Sequence, residues 1–210
     1  MSRLLSLQVG GHCEPWQNLG LPFSGDACVL ADVQVVVTNS GQGLLGWSFE
    51  SDTDAVTTID GIPTTLISHA DHRAVRSPIL NQAIVGLDHV VINTDNLDRT
   101  SAAIESVLHE PVRREREVGN GVIQRFHKLE NTILEVITGP HITTPGAFLW
   151  GMVASVDDLF ELAEQLGDSV TSTPKKATQP GRYISTVRQS VGLGVPFALM
   201  TPHVSGAATH

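Results

Sequence analysis

Residues 86–108 read GLDHVVINTDNLDRTSAAIESVL, and residues 131–140 read NTILEVITGP. The same plan returns in residues 147–167, AFLWGMVASVDDLFELAEQLG, and in residues 194–202, GVPFALMTP. Each copy has an apolar run, an acidic turn, an amphipathic helix pattern and a final apolar run that ends at a proline. A repeat of roughly 50 residues is one supersecondary unit that cannot bury its apolar face alone, so we expect the two copies to pack together.

The first copy predicts a β-α-β-β-β unit. Its first strand is the β-rich run 87–94, and strict alternation places four side chains on one face: Leu87, His89, Val91 and Asn93. A helix follows, which Thr94 or Asp95 can cap and which His109-Glu110-Pro111 ends. A hairpin with strands 112–118 and 122–129 and its turn at Gly119-Asn120-Gly121 comes next, and the last strand is 132–138. The second copy predicts a unit of the same plan.

The whole chain is predicted to have an α+β fold, in which the paired βαβββ modules form a curved, cavity-enclosing sheet. We expect a degenerate N-terminal βαβββ-like module, a linker, the two modules of the repeat and a flexible tail. Their bounds are 1–67, 68–85, 86–140, 147–202 and 203–210.

Composition limits the functional classes. The chain is 41% hydrophobic and 17% charged, as in globular proteins, and its formal charge of −9 argues against nucleic-acid binding. No apolar run approaches the roughly 18–20 residues that span a membrane. Without a secretory signal, we expect a cytoplasmic protein with Cys13 and Cys28 as free thiols. The basic run 113–116 alternates with glutamates and is interpreted as a solvated strand face.

Three segments together resemble the vicinal oxygen chelate superfamily, which includes glyoxalase I, bleomycin-resistance proteins and extradiol dioxygenases. They are GLDHVVI at 86–92, DNLDRT at 95–100 and TILEVI at 132–137. The stretch QPGR at 179–182 is similar to that of small glyoxalase-like proteins. The resemblance implies a paired-module fold with a cavity, but this superfamily hosts many reactions, so it does not specify one.

The resemblance also implies that His89 and Glu135, on the first and last strands of one module, point into the cavity. There they would form half of a divalent metal site. The same two residues could instead transfer a proton, or form a buried pair that only satisfies itself. In the second copy, Gly151 and Met200 or a neighbour stand where the remaining ligands are expected. Glycine offers no ligand and a thioether suits hard cations poorly, which puts the metal in doubt.

Four more residues are candidates for ligand binding. Arg182 and Arg125 could hold a carboxylate or phosphate, and His127 shares strand parity with Arg125. Trp150, beside Gly151, could provide an aromatic platform. Each also has an ordinary structural interpretation, as a surface strand residue or as core.

Two functions therefore stand side by side. The first is an enzyme of lyase, isomerase or epimerase type that acts on a small oxygen-bearing, anionic metabolite, with or without a divalent metal. The alternative is a metal-free protein that binds or sequesters a small molecule, as bleomycin-resistance proteins do. In both, the expected partner is a small molecule rather than a nucleic acid or membrane, with a homodimer as a possible assembly.

Overall fold

The structure is a computed structural model that describes residues 1–21, 23–68 and 84–203. Most of the predicted linker and nearly all of the predicted tail lie outside these ranges. Within them, the strands form one seven-stranded and one eight-stranded sheet. No helix in these ranges is both long and apolar enough to span a bilayer.

The seven-stranded sheet is built from the N-terminal residues. Its elements are β1 (Leu4–Gly10), α1 (Glu14–Gln17), β2 (Phe23–Ser24), β3 (Ala27–Leu30), β4 (Val33–Thr38), β5 (Gly43–Ser51), β6 (Ala55–Ile59) and β7 (Ile62–Ser68). β1 pairs with β4 in parallel, and β5 pairs with β7 in parallel. β1 and β5 are antiparallel neighbours that join the two groups. The group of β1 to β4 with α1 is a βαβββ unit. In the group of β5 to β7, the short connection 52–54 leaves no room for a helix.

The eight-stranded sheet contains the two copies recognised in the sequence. The first copy comprises β8 (Ile84–Thr94), α2 (Leu97–Leu108), β9 (Val112–Gly119), β10 (Val122–Lys128) and β11 (Ile133–Thr138). The second comprises β12 (Ala147–Val156), α3 (Leu159–Leu166), β13 (Lys175–Lys176), β14 (Tyr183–Thr186), a short 3-10 turn (Gln189–Val191) and β15 (Phe197–Met200). β8 pairs with β11 and β12 with β15, both in parallel, and β8 and β12 join antiparallel at the centre.

The predicted α+β fold of paired βαβββ units is confirmed. Helix α2 ends before His109, as expected, but its cap is Asn96 and not Thr94 or Asp95. The Asn96 side chain accepts a hydrogen bond from the Arg99 amide at 3.0 Å. The hairpin between β9 and β10 also forms as predicted, with Asn120 in the left-handed region at φ 53°. Asparagine tolerates this conformation better than most residues.

The two sheets share one apolar core. Val90 and Ile92 of β8 and Leu134 and Val136 of β11 are fully buried in it, together with residues of the N-terminal sheet. Because side chains alternate along a strand, the residues between them point to the opposite face of the eight-stranded sheet. We call this opposite face the site face, since it carries His89 and Glu135.

Candidate functional site

A β-bulge in the central strand shapes the site. In the β8–β12 ladder His89 pairs with Val153 and Leu87 with Ala154, which leaves Asp88 without a cross-strand partner. An extra residue of this kind changes the phase of the alternation. Asp88 and His89 therefore both lie on the site face, and Leu87 turns into the core. The expectation that Leu87 and His89 share a face was wrong, because strict alternation takes no account of a bulge.

His89 lies between two carboxylates. Its Nδ1 is 2.7 Å from Oδ1 of Asp88, and its Nε2 is 3.2 Å from Oε2 of Glu135. Glu135 reaches the imidazole from the neighbouring strand β11, where it pairs with Val91. His89 and Glu135 are 9% and 8% exposed, so both are largely shielded from water. The structure thus brings together the two residues that the sequence singled out, and it adds Asp88, which the sequence analysis missed.

Arg182 completes the group from the other module. Its Nη2 donates to Oδ2 of Asp88, and its Nη1 lies 3.4 Å from Oδ1 of the same carboxylate. The other two nitrogen atoms of the guanidinium are engaged as well, because Nε donates to the Thr201 carbonyl at 2.7 Å and Nη1 to the Gln179 side chain. Arg182 is 3% exposed. The guanidinium is therefore a buried partner of Asp88, and these contacts occupy the fork that the sequence analysis assigned to a ligand.

The pKa values of the two carboxyl groups, Asp88 and Glu135, are shifted in opposite directions. Burial acts to raise the pKa of Asp88, but hydrogen bonds from His89 and Arg182 outweigh it, so that this pKa lies well below its usual range. Burial also raises the pKa of Glu135, and here the opposing charges of His89 and Arg116 do not cancel the rise. An ionised Asp88 can only accept, so we assign the Nδ1 hydrogen of His89 to the bond with Asp88. The Nε2 atom then faces Glu135.

The second module offers no counterpart to this pair. Glu135 pairs with Val91, two residues after His89; in the other module Ala198 pairs with Val153, two residues after Gly151. Ala198 thus occupies the position equivalent to Glu135, and Met200 lies two residues further along. Val153, Ala198 and Met200 form a small apolar cluster.

Gly151 is also sterically required. A Cβ atom there would lie 2.7 Å from the carbonyl oxygen of Pro196, closer than any normal contact. That carbonyl is fixed, because it accepts a hydrogen bond from the Met152 amide at 3.1 Å. A ligand-bearing side chain at this position would therefore displace backbone.

The side chains that the structure describes do not fit a divalent metal held by protein ligands. Among the described residues no group of three His, Cys, Asp or Glu side chains is placed to coordinate one. Nδ1 of His89 is bonded to Asp88, and the cationic Arg182 stands on the far side of that carboxylate. Zinc sites usually take three or four protein ligands, whereas His89 and Glu135 supply two.

Arg125 and His127 lie on the core side of β10 and not on the site face. His127 is fully buried; its Nδ1 donates to the Glu110 carbonyl at 2.9 Å, and its Nε2 lies 3.3 Å from Oγ of Ser101 on α2. Arg125 forms ion pairs with Asp98 of α2 at 2.7 Å and with Glu115 at 2.6 Å. The two residues do share strand parity, as predicted. The expectation that they face the ligand is corrected, because that parity points toward α2.

The site face of β10 instead carries Phe126, which pairs with Glu135. Arg116 of β9 lies over this ring, with its Cζ 5.6 Å from the ring centroid. In the sequence, Arg116 belongs to the basic run 113–116, which was interpreted as a solvated strand face. On the other side of the site, Trp150 is the extra residue of a second bulge, between Leu149 and Gly151, and is 47% exposed. The bulge places it on the site face beside Gly151.

Comparison with known proteins identifies the fold. No protein-family model matches the chain, and no curated protein matches it either. A variant of 4-hydroxymandelate synthase from Streptomyces coelicolor is similar with a TM-score of 0.69 and 13% sequence identity, over 94% of this chain and 91% of that one. Methylmalonyl-CoA epimerase from Mycobacterium tuberculosis is similar with a TM-score of 0.50 and 19% identity, over 64% of this chain and 95% of that one. The chain therefore has the glyoxalase-like fold that these two structures share.

Proposed function

We propose that this protein is an enzyme that moves a proton at a carbon atom of a small, oxygen-bearing, anionic metabolite, in a reaction of isomerase, epimerase or lyase type. Glu135 and His89 are the acid–base residues, and no metal takes part in the proton transfer. One observation carries the proposal: a nearly buried imidazole spans two carboxylates, at 2.7 Å and 3.2 Å.

Glu135 has the properties of a general base for a weak carbon acid. Because its pKa is raised, the Glu135 carboxylate is a stronger base than an ordinary glutamate. Its pKa is therefore closer to the pKa of an activated C–H group. In the forward step its oxygen takes the proton from carbon, and the electron pair moves onto the neighbouring oxygen of the substrate. Nε2 of His89, 3.2 Å away, then takes the proton from Glu135 or returns it.

Asp88 and Arg182 act as positioning residues. The Asp88 carboxylate holds Nδ1–H of His89, which fixes the ring orientation and leaves Nε2 as the proton acceptor. Asp88 also stabilises the imidazolium that forms when Nε2 takes a proton. Arg182 keeps Asp88 ionised and in place, since it is ion-paired to that carboxylate in a buried setting.

The fold likeness gives this proposal analogical support. One of the similar structures is an epimerase by name, and an epimerase inverts a stereocentre. At 19% identity this likeness concerns the fold, so the proposal depends on the geometry at His89.

A binding or sequestering role is the second candidate, and the apolar cluster of Val153, Ala198 and Met200 favours it. A site with one polar and one apolar half can hold a small molecule without transforming it. In that case Glu135 and His89 would hold the ligand and exchange no carbon-bound proton.

Hydrogen exchange at carbon separates the two roles. The chelator-treated protein would be incubated in D2O with a panel of small 2-oxo acids, hydroxyketones and acyl thioesters, and mass spectrometry would record deuterium uptake. We expect catalysed uptake in at least one compound, a loss of about 10²–10⁴-fold in Glu135→Gln and in His89→Gln, and no change in the exposed-site control Glu164→Gln. Specific binding of panel compounds without any uptake would refute the proton-transfer role and support sequestration.

A further inference from the structure

We propose that Arg116 is the anion-binding residue of the site and holds the carboxylate or phosphate group of the ligand above the Phe126 ring. This inference deepens the proposed function and rests on it for the identity of the reacting group. It assigns the acidic end of the ligand to β9, at the edge of the sheet, and not to Arg182 or Arg125.

Strand register places Arg116 on the same face as the acid–base pair. Arg116 pairs with Gln124 of β10, and Phe126, two residues later, pairs with Glu135 of β11. Paired residues of antiparallel strands point to the same face. The guanidinium is drawn toward the site, since its Cζ lies 5.6 Å from the Phe126 ring centroid. Its charge also acts on Glu135, because it opposes the rise in the Glu135 pKa.

The pairing of Arg116 differs from that of Arg125 on the neighbouring strand. Its Nε donates at 3.0 Å, and its Nη2 donates as well, to the same neutral acceptor, Oε1 of Gln124. Among the described residues, no carboxylate oxygen lies within 4.0 Å of this guanidinium. By contrast, Arg125 on the other face of the hairpin has two carboxylate partners, Asp98 and Glu115. In a chain with a formal charge of −9, a half-buried arginine left to a neutral amide is suited to receive an anion.

The geometry also limits the shape of the ligand. The guanidinium of Arg116 lies over Phe126 of β10, which is about one strand spacing, roughly 5 Å, from strand β11 with Glu135. An acid group on Arg116 therefore places the reacting carbon only a few bonds away. On the far side of Glu135, the exposed ring of Trp150 stands about two strand spacings, roughly 10 Å, from Glu135. A planar or apolar end of the ligand fits there, so the substrate class is a small organic acid or phosphomonoester with an apolar end.

Nuclear magnetic resonance can test this without the natural substrate. The full chain would be titrated with phenylacetate, phenyl phosphate and the neutral phenylacetamide while the arginine Nε–H signals are recorded. Arg116 would be assigned by the signal missing in Arg116→Gln. The matched control is Arg113→Gln, which removes the same charge from the same strand; the Arg113 guanidinium is 3.9 Å from Glu110.

We expect saturable shifts of the Arg116 signal with at least one acid, and binding about 10- to 100-fold weaker in Arg116→Gln. Arg113→Gln should bind like wild type, and phenylacetamide should be insensitive to both changes. The two acids distinguish a carboxylate site from a phosphate site. Equal acid affinity in Arg116→Gln, or no saturable acid binding to wild type, would overturn the assignment. If acids bind only when Arg116 is present, but Glu135→Gln does not slow hydrogen exchange at carbon, the proposed reaction is refuted and this inference stands.

Discussion

Asp88 and His89 are consecutive residues of one strand, yet their side chains share a face and form a 2.7 Å hydrogen bond between Oδ1 and Nδ1. The bulge at Asp88 makes this contact possible, because it turns both side chains to the same face of β8. The hydrogen bond to Asp88 fixes both the orientation and the tautomer of the His89 ring.

The Asp88–Arg182 pair should be strongly coupled in stability. Asp88→Asn leaves a buried guanidinium without its counter-charge, so we expect the free energy of unfolding to fall by about 3–5 kcal/mol. The double variant Asp88→Asn/Arg182→Met should be more stable than the sum of the two single changes predicts, by about 1–3 kcal/mol. Urea denaturation of the four proteins measures this coupling. Strict additivity would show that the ion pair is not formed.

Glu135→Gln should stabilise the protein while removing the proposed proton transfer. Burial raises the pKa of Glu135 above its ordinary value of 4.5. The stability that the protonated form contributes is therefore complete below about pH 4.5 and is lost as the pH rises through the higher pKa of the folded state. Glutamine does not ionise, so its advantage over wild type should grow from pH 4.5 to pH 8 in denaturant unfolding. The control Glu164→Gln, at an exposed position of α3, should show no such trend. A pH-independent difference for Glu135→Gln would contradict the raised pKa.

Gly151→His should not restore a metal site, although it puts a ligand where the superfamily pattern expects one. The new Cβ would meet the Pro196 carbonyl at 2.7 Å, so we expect a loss of about 1–3 kcal/mol from overpacking. Gly151→Ala should show most of the same loss, because the clash begins at Cβ. Thermal unfolding with and without Zn²⁺ checks this. A zinc-dependent rise in Tm that is specific to Gly151→His would show that the backbone can yield.

His127→Gln should affect stability but not ligand binding. Burial lowers the pKa of His127, so the neutral ring contributes stability above the ordinary pKa of about 6.5, and this contribution is lost as the pH falls. Between pH 7.5 and pH 5.5 the variant should therefore lose less stability than wild type. Calorimetric binding of phenylacetate at pH 7.5 should be unchanged. Weaker binding in a fully folded variant would show that His127 contributes to the ligand site.

The sequence predicted the fold because the repeat is strongly periodic. Apolar runs, the capped helix 97–108 and the turn at Gly119-Asn120-Gly121 agree on one βαβββ unit, so local pattern and long-range pairing give the same answer. The pair His89 and Glu135 followed from the family resemblance that the same segments carry. Asp88, Trp150 and Arg116 depend on bulges, which have no comparable local signature. Arg125 and His127 were misplaced for another reason: the β10–β11 register, which pairs Phe126 with Glu135, cannot be read from the local pattern.

Two positions illustrate this limit. Asp88 is adjacent to His89, and alternation assigns it to the opposite face until the bulge is known. Arg116 would pair with Arg125 if the hairpin continued the register set by Gly119 and Val122, but the register shifts after Val122 and Arg116 pairs with Gln124 instead. A shift of one residue moves a side chain to the other face, so the arginine that reaches the site could not be chosen from the sequence.

We propose that His89 is a proton carrier held by Asp88 and not a metal ligand. The most direct test of this proposal is the ¹⁵N spectrum of the His89 imidazole in chelator-treated protein, before and after one equivalent of Zn²⁺ or Mg²⁺. We predict a protonated Nδ1 that loses its hydrogen-bonded signature in Asp88→Asn, and an Nε2 signal that does not respond to either metal. A stoichiometric shift of Nε2 on metal addition, abolished by Glu135→Gln, would contradict the account and establish a metal site at this pair.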